Sequence, residues 1–161
     1  MIVGVDNGLN GGLCAISAHA GDVILYAAMP TCLVGKKTET DVRAVKEWLL
    51  ELNTDFVLAI EEPLHFARTS QAMRSMALSF GKLIGMSESC GYEVERIQVA
   101  EWQKKMLVKW GKGQTKQAAL RVANKLKPDE SWLATARSRV AHDGIVDAYL
   151  LAEFYRTNKT K

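Results

Sequence analysis

The chain has 161 residues, 48% hydrophobic and 24% charged, which suits one domain with a real hydrophobic core and excludes a disordered or low-complexity polypeptide. No apolar run approaches the ~20 residues of a membrane span, and the N-terminus lacks the basic-then-apolar pattern of a secretion signal, so a cytoplasmic location is expected. Cys14, Cys32 and Cys90 are widely spaced, with no CxxC pair; they read as reduced thiols, not as a disulfide framework or a zinc site.

The formal net charge of +3 conceals an asymmetry. Residues 1–95 hold 7 Lys/Arg against 12 Asp/Glu, whereas residues 96–161 hold 14 against 6. Between Trp102 and Pro128 stand eight basic residues and no acidic one. A field of that sign attracts phosphate backbones and supplies salt-dependent affinity, with a solvated lysine-rich face as the alternative.

Met1 leads almost directly into a short apolar run, Ile2 to Val5, that ends on Asp6, so the start of the chain is expected to be structural. A Gly/Asn turn follows, then a second strand near Gly12–Ser17 and a third in "DVILYAAM", which predicts a three-strand meander. Glu39–Asn53 reads as a helix, with Val42, Val45, Leu49 and Leu52 at helical spacing. The continuous apolar run Phe56–Ile60 suits a central buried strand; it also ends on acids, Glu61 and Glu62, before Pro63. Thr69–Ser89 predicts a long helix with Met73, Met76, Ala77, Phe80 and Ile84 on one face, and with Gly81 and Gly85 able to admit another backbone. A fifth strand fits "YEVERIQV", followed by basic helices near Ala100–Val108 and Thr115–Leu126, the second ended by Pro128. The last helix, an amphipathic one beginning near His142, carries Ile145, Val146, Tyr149, Leu150 and Phe154. With no repeat or linker, residues 1–161 form one α/β domain: a mixed five-stranded sheet, a three-strand meander plus two further strands, with helices on both faces.

Carboxylates stand at special points of this plan. Asp6 ends the first strand and Glu61 the fourth, and Asp143 and Asp147 share a face of the last helix, with Cβ atoms about 5–6 Å apart. Adjacent central strands would bring Asp6 and Glu61 to one sheet edge, where the last helix can join them. Each residue has a plainer reading. Asp6 before Asn7-Gly8 suits turn chemistry, Glu61-Glu62 suits a solvent-facing strand end, and Asp143 suits a helix start. Asp147 is different, because Asp is a poor helix former and this one lies between Val146 and Ala148 in an apolar run. Clustered carboxylates raise one another's pKa and call for cations. Hard oxygen ligands suit Mg²⁺, and two such ions roughly 3.5–4 Å apart can activate water and stabilise the leaving oxygen of a phosphodiester.

The strand endings "GVDNG" and "AIEEP", together with "HDGIVDAYLLAE", resemble the RuvC-type Holliday-junction resolvases, especially the compact bacteriophage forms, over nearly the whole chain. "EWQKKML" and "KGQTKQAAL" also look like that branch. The resemblance implies an RNase H-like fold, a homodimer, two Mg²⁺ per active site with Mn²⁺ as substitute, and symmetric nicking of four-way DNA junctions. By position, Asp6, Glu61 and Asp147 match the family's metal-binding catalytic carboxylates. Many relatives carry an Asp or His three residues before the final Asp, where this chain has Gly144. Asp143 is therefore assigned as the fourth ligand, with His142 in reserve. Glu62, on the opposite strand face, is excluded. Asn7 stands where the family often has Pro, which affects turn shape more than chemistry. Leu64, His65 and Phe66, just after Glu61, are placed to wedge or stack at the crossover, although Phe66 suits a core contact equally. Lys109, Lys112 and Lys116, with Arg137 and Arg139, are placed to grip phosphate. Trp102 reads as packing.

Three other functions fit parts of the pattern. A sugar-kinase or actin-type ATPase shares the acid-ended first strand, but requires a second large domain and further phosphate loops. A catalytically silent junction-binding protein would not need the acid cluster. An RNase H-fold nuclease acting on RNA or on other branched DNA would show the same acids and a basic face. The long Met-rich helix favours the junction reading, because pairing two protomers across it would match the near two-fold symmetry of the DNA.

Overall fold

The computed structural model describes residues 1–63, 69–107, 111 and 113–159. In chain order these form β1 (Ile2–Asp6), β2 (Gly12–Ile16), β3 (Val23–Ala28), β4 (Thr31–Val34), β5 (Lys37–Thr40), α1 (Val42–Glu51), β6 (Val57–Glu62), α2 (Ser70–Cys90), β7 (Glu93–Gln98), α3 (Val99–Met106), α4 (Thr115–Leu126) and α5 (Asp143–Asn158). The main sheet has the order β3-β2-β1-β6-β7. β1, β2 and β3 are the expected antiparallel meander, and β6 and β7 join parallel to β1.

Alternation along the strands divides the core in two. Ile2, Cys14, Ile16, Ala59 and Ile97 face α5, together with Trp102 of α3 and Ala119 and Ala123 of α4. Val3, Val5, Leu13, Ala15, Leu58 and Ile60 face α1 and α2. Helices thus cover both faces, as expected.

Three local features differ from the sequence reading. First, Glu39 and Thr40 do not start α1 but end the second strand of a separate hairpin, paired as Thr31↔Thr40 and Val34↔Lys37. Gly35 takes a positive φ at its tip, and the β-branched Thr31, Val34, Thr38 and Thr40 suit strands. α1 then starts after Asp41, whose carboxylate accepts the backbone N–H groups of Arg43 and Ala44. Second, α2 buries Ser79, Leu83, Ile84 and Ser87, with Phe80 and Met86 alongside, while Met73 and Leu78 are exposed. The two buried serines satisfy their hydroxyls on Asn7 and on the Leu83 carbonyl, which lets polar residues serve on the inward face. Third, α5 is not amphipathic. It is buried on nearly every side, because α3 and α4 pack over its outer surface.

α5 approaches the sheet at backbone distance. A Cβ on Gly4 would stand 1.8 Å from the carbonyl oxygen of Ala148, and one on Gly144 would stand 2.4 Å from the carbonyl carbon of Gly11. The contact is close enough for Gly11 and Gly144 to form a bridge.

Gly4→Ala is expected to destabilise the protein by about 3 kcal/mol, the upper end of the usual overpacking penalty. That corresponds to a fall of roughly 6–12 °C in the thermal unfolding midpoint of a domain this size. An unchanged midpoint would mean that α5 can back away from β1 without loss.

Candidate active site

The parallel pairing of β1 with β6 runs to Val5↔Ile60, so Asp6 and Glu61 are the next residues on neighbouring strands. Both continue the alternation that faces α5: Asp6 follows Ile2 and Gly4, and Glu61 follows Ala59. Glu62 lies on the other side. Asp147 comes down from α5 onto the same spot, on the stretch that packs against β1. Three carboxylates from distant parts of the sequence therefore share one part-buried corner.

Their ionisation records the crowding. Burial pushes Glu61 up to about 8, and the negative charges of Asp6 and Asp147 add to the rise. Burial likewise pushes Asp147 up to about 7, with Asp6 and Asp143 contributing. Asp6 is raised mainly by burial, against the Gly8 backbone N–H, His142 and Lys116, which favour its charge. Asp143 is the outermost of the four and half-exposed, and its Oδ2 accepts from Lys116 Nζ at 2.5 Å. That hydrogen bond raises the lysine, and Asp147 and Asp6 raise it further. His142, the N-cap of α5, faces Asp6, and its Nδ1 is buried without a hydrogen-bond partner among the described residues.

The donor set suits a hard divalent cation in kind: buried carboxylate oxygens that disfavour one another's charge, plus an orphaned imidazole nitrogen. Among the described residues, however, no three His, Cys, Asp or Glu side chains stand as a ready-made metal cage. The oxygens are close enough to couple electrostatically, and a bound cation would have to draw them closer.

Sequence reasoning passed over two residues that shape this corner. Asn7 is buried, and its Nδ2 donates to the backbone carbonyl of Glu61. Its own carbonyl accepts the Ser79 hydroxyl, so the Thr40 hydroxyl, 2.6 Å from Ser79 Oγ, must be the donor in that pair. A buried polar chain thus ties β5, α2 and the turn after Asp6 to the end of β6. The signal was an Asn in the position where the family often has Pro. Trp102 is wholly buried, as its packing reading required. Its indole N–H also lies near the Glu61 carboxylate and favours its charge, although it completes no hydrogen bond among the described residues.

The phosphate-binding residues expected from sequence divide into groups. Lys116 joins the acidic corner. Arg137 and Arg139 are exposed on the irregular segment before α5. Leu64, His65, Phe66, Lys109 and Lys112 lie outside the described residues.

Two solved structures share this architecture from end to end. T. thermophilus RuvC in complex with Holliday junction substrate superposes with a TM-score of 0.62 over 99% of this chain and 97% of that one, at 14% identity. A second Thermus thermophilus RuvC structure gives 0.57 over 99% and 96%, at 15% identity. No family model and no curated protein matches the sequence. The fold is therefore RuvC-type. No helix among the described residues is long and apolar enough to cross a membrane.

Two outcomes follow from the site. Asp6, Glu61 and Asp147 ionise higher in the folded chain than in the unfolded one, where carboxylates titrate near about 4. The native state therefore binds more protons across pH 4 to 8, and stability falls as pH rises through that window. In chelator, the unfolding midpoint should drop between about pH 5 and pH 8, and Asp147→Asn should flatten the drop; an equally steep profile in the variant would disprove the coupling. Asn7→Ala should cost about 1–3 kcal/mol in denaturant unfolding by orphaning the Glu61 carbonyl and breaking the polar chain. A neutral effect would mean that water replaces the amide.

Proposed function

We propose that this chain is a Holliday-junction resolvase: a homodimeric, metal-dependent endodeoxyribonuclease that nicks four-way DNA junctions symmetrically. The observation that carries the reading is the convergence of Asp6, Glu61 and Asp147 on one corner of a RuvC-type fold spanning the whole chain. One of the two RuvC structures it resembles is bound to Holliday junction substrate.

In this reading Asp6, Glu61 and Asp147 hold two Mg²⁺, or Mn²⁺ in their place, with Asp143 as fourth ligand and His142 in reserve. Bound there, the cations would activate water and stabilise the leaving oxygen, giving a 5′-phosphate and a 3′-hydroxyl. The chain's own contribution is placement. β1 and β6 present two carboxylates side by side, α5 presses the third onto them, and Asn7 and Trp102 steady the end that carries Glu61. Lys116 pairs with Asp143 at the outer edge of the corner and supplies positive charge where a phosphate would arrive.

The dimer is proposed to form across α2. In its C-terminal half Gly81 and Gly85 are exposed, and nothing described stands within 4 Å of a Cβ placed on either. A two-fold pair would set two sites against strands of like polarity. The described thiols Cys14, Cys32 and Cys90 are all free, which supports a cytoplasmic setting, that of a bacterial host if the protein is phage-borne.

The test is cleavage of an end-labelled synthetic four-way junction beside linear duplex, flap DNA and an RNA–DNA hybrid, with and without Mg²⁺. Paired symmetric nicks in the junction alone are expected. Asp147→Asn should lower the rate by at least a thousandfold while junction binding persists or tightens. Cleavage of the hybrid with the junction untouched would move the function to RNA, and binding without cleavage in any metal would make the protein a silent junction binder.

A further inference from the structure

The basic run from Trp102 to Pro128 is not the chain's only cationic surface. A groove of about 750 Å³ lies between the β4–β5 hairpin and the first half of α2. Lys36 and Lys37 line it from the hairpin and Arg74 from α2, and all three are exposed. None of them forms an ion pair with another described residue. The one acid among its described lining residues, Glu39, is paired with Lys82 at 2.6 Å.

This concentration runs against the local composition. Residues 1–95 carry a net negative charge, yet four of their seven Lys/Arg stand in or beside this groove. Hairpin formation produces it, because pairing Val34 with Lys37 folds Lys36 and Lys37 back toward α2.

The groove also adjoins the acidic corner. Leu9, three residues past Asp6, forms part of its wall, as do Thr40 and Ser79 of the polar chain that holds Asn7. A polyanion that rounds the turn after Asp6, past Leu9, would reach it. Hydroxyls such as those of Thr38 and Ser75 add neutral donors suited to phosphate oxygens.

We propose that this groove grips the sugar–phosphate backbone of a DNA arm leaving the active site, on the α2 face of the sheet rather than the face that α3 and α4 cover, with Lys36, Lys37 and Arg74 as the phosphate contacts. The inference rests on the resolvase reading for its DNA partner, and it adds a contact surface from the hairpin. The contacts neutralise phosphates and read no bases, so they act on junction and duplex arms alike.

The test is binding of fluorescently labelled four-way junction and linear duplex in chelator, followed by anisotropy across a salt series. Each of Lys36→Ala, Lys37→Ala and Arg74→Ala should reduce the slope of log affinity against log salt by about 0.9, and the triple variant by roughly 2.7. Lys46→Ala, an exposed cation on α1, should leave the slope unchanged, and the charge-keeping triple K36R/K37R/R74K should restore it. An unchanged slope in the alanine triple overturns the proposal, as does an equal loss in Lys46→Ala. Failure of the resolvase reading appears separately, as absence of junction nicking by the wild-type protein, and the duplex arm of the measurement still decides the groove.

Discussion

The structure depends on one close approach, the backbone of α5 laid directly on β1 and β2. Gly4 and Gly144 have no room for a Cβ at this contact. Because the helix sits so near, Asp147 arrives beside Asp6 and Glu61 at the sheet's edge and loses most of its water. Burial is the largest cause of the raised pKa at all three carboxylates, with mutual repulsion second at Glu61 and Asp147. The electrostatic character of the corner is thus a consequence of packing. A helix held one side chain farther out would leave the same three acids hydrated and ordinary.

A corner of mutually repelling acids needs rigid supports, and the supports are neutral. The Asn7 amide holds the Glu61 main chain, the Ser79 hydroxyl holds Asn7, and Thr40 holds Ser79. Each is buried and satisfied, so the chain orders β5, α2 and the strand ends without adding charge. The Trp102 indole serves the same corner from the opposite side of the sheet edge, through a helix otherwise given to packing. The β4–β5 hairpin is joined to this network through Thr40, which links the groove wall mechanically to the turn that carries Asp6.

Most of the architecture was legible in the sequence because its elements obey strong periodicities. β1 and β6 are apolar runs that stop on acids, and the meander, α2, β7 and the basic helices follow in the expected order. The hairpin was missed because "TCLVGKKTET" has no buried stripe; its strands pair with each other off the main sheet and leave Leu33 and Val34 exposed. The face of α2 was misjudged because two serines turn inward, Ser79 satisfied by a long-range hydrogen bond to Asn7 that no local pattern displays and Ser87 by the Leu83 carbonyl one turn back. The meeting of Asp6, Glu61 and Asp147 at one corner was legible because carboxylates at strand ends and inside an apolar helix contradict their surroundings. Asn7 and Trp102 were not found as supports, since a turn Asn and a packed Trp are each unremarkable until the partner across the sheet is known.

Gly144 joins the packing and the chemistry. In the resemblance to the resolvases, the position three residues before the final Asp often carries a ligand, and here any side chain at that position would strike the backbone of Gly11. The tight seating of α5 therefore bars any side chain from that position, and the two residues before it are polar. Asp143 lies outward, oriented by Lys116, and His142 lies inward toward Asp6 with Nδ1 unpartnered among the described residues. The two are not equivalent supports for a cation. Asp143 would have to be shared with or released by Lys116, whereas His142 would bring a buried Nδ1 with no partner among the described residues to give up. The geometry that brings Asp147 into the corner is thus the same geometry that bars a side chain from residue 144 and sets a paired carboxylate and a buried imidazole just before it.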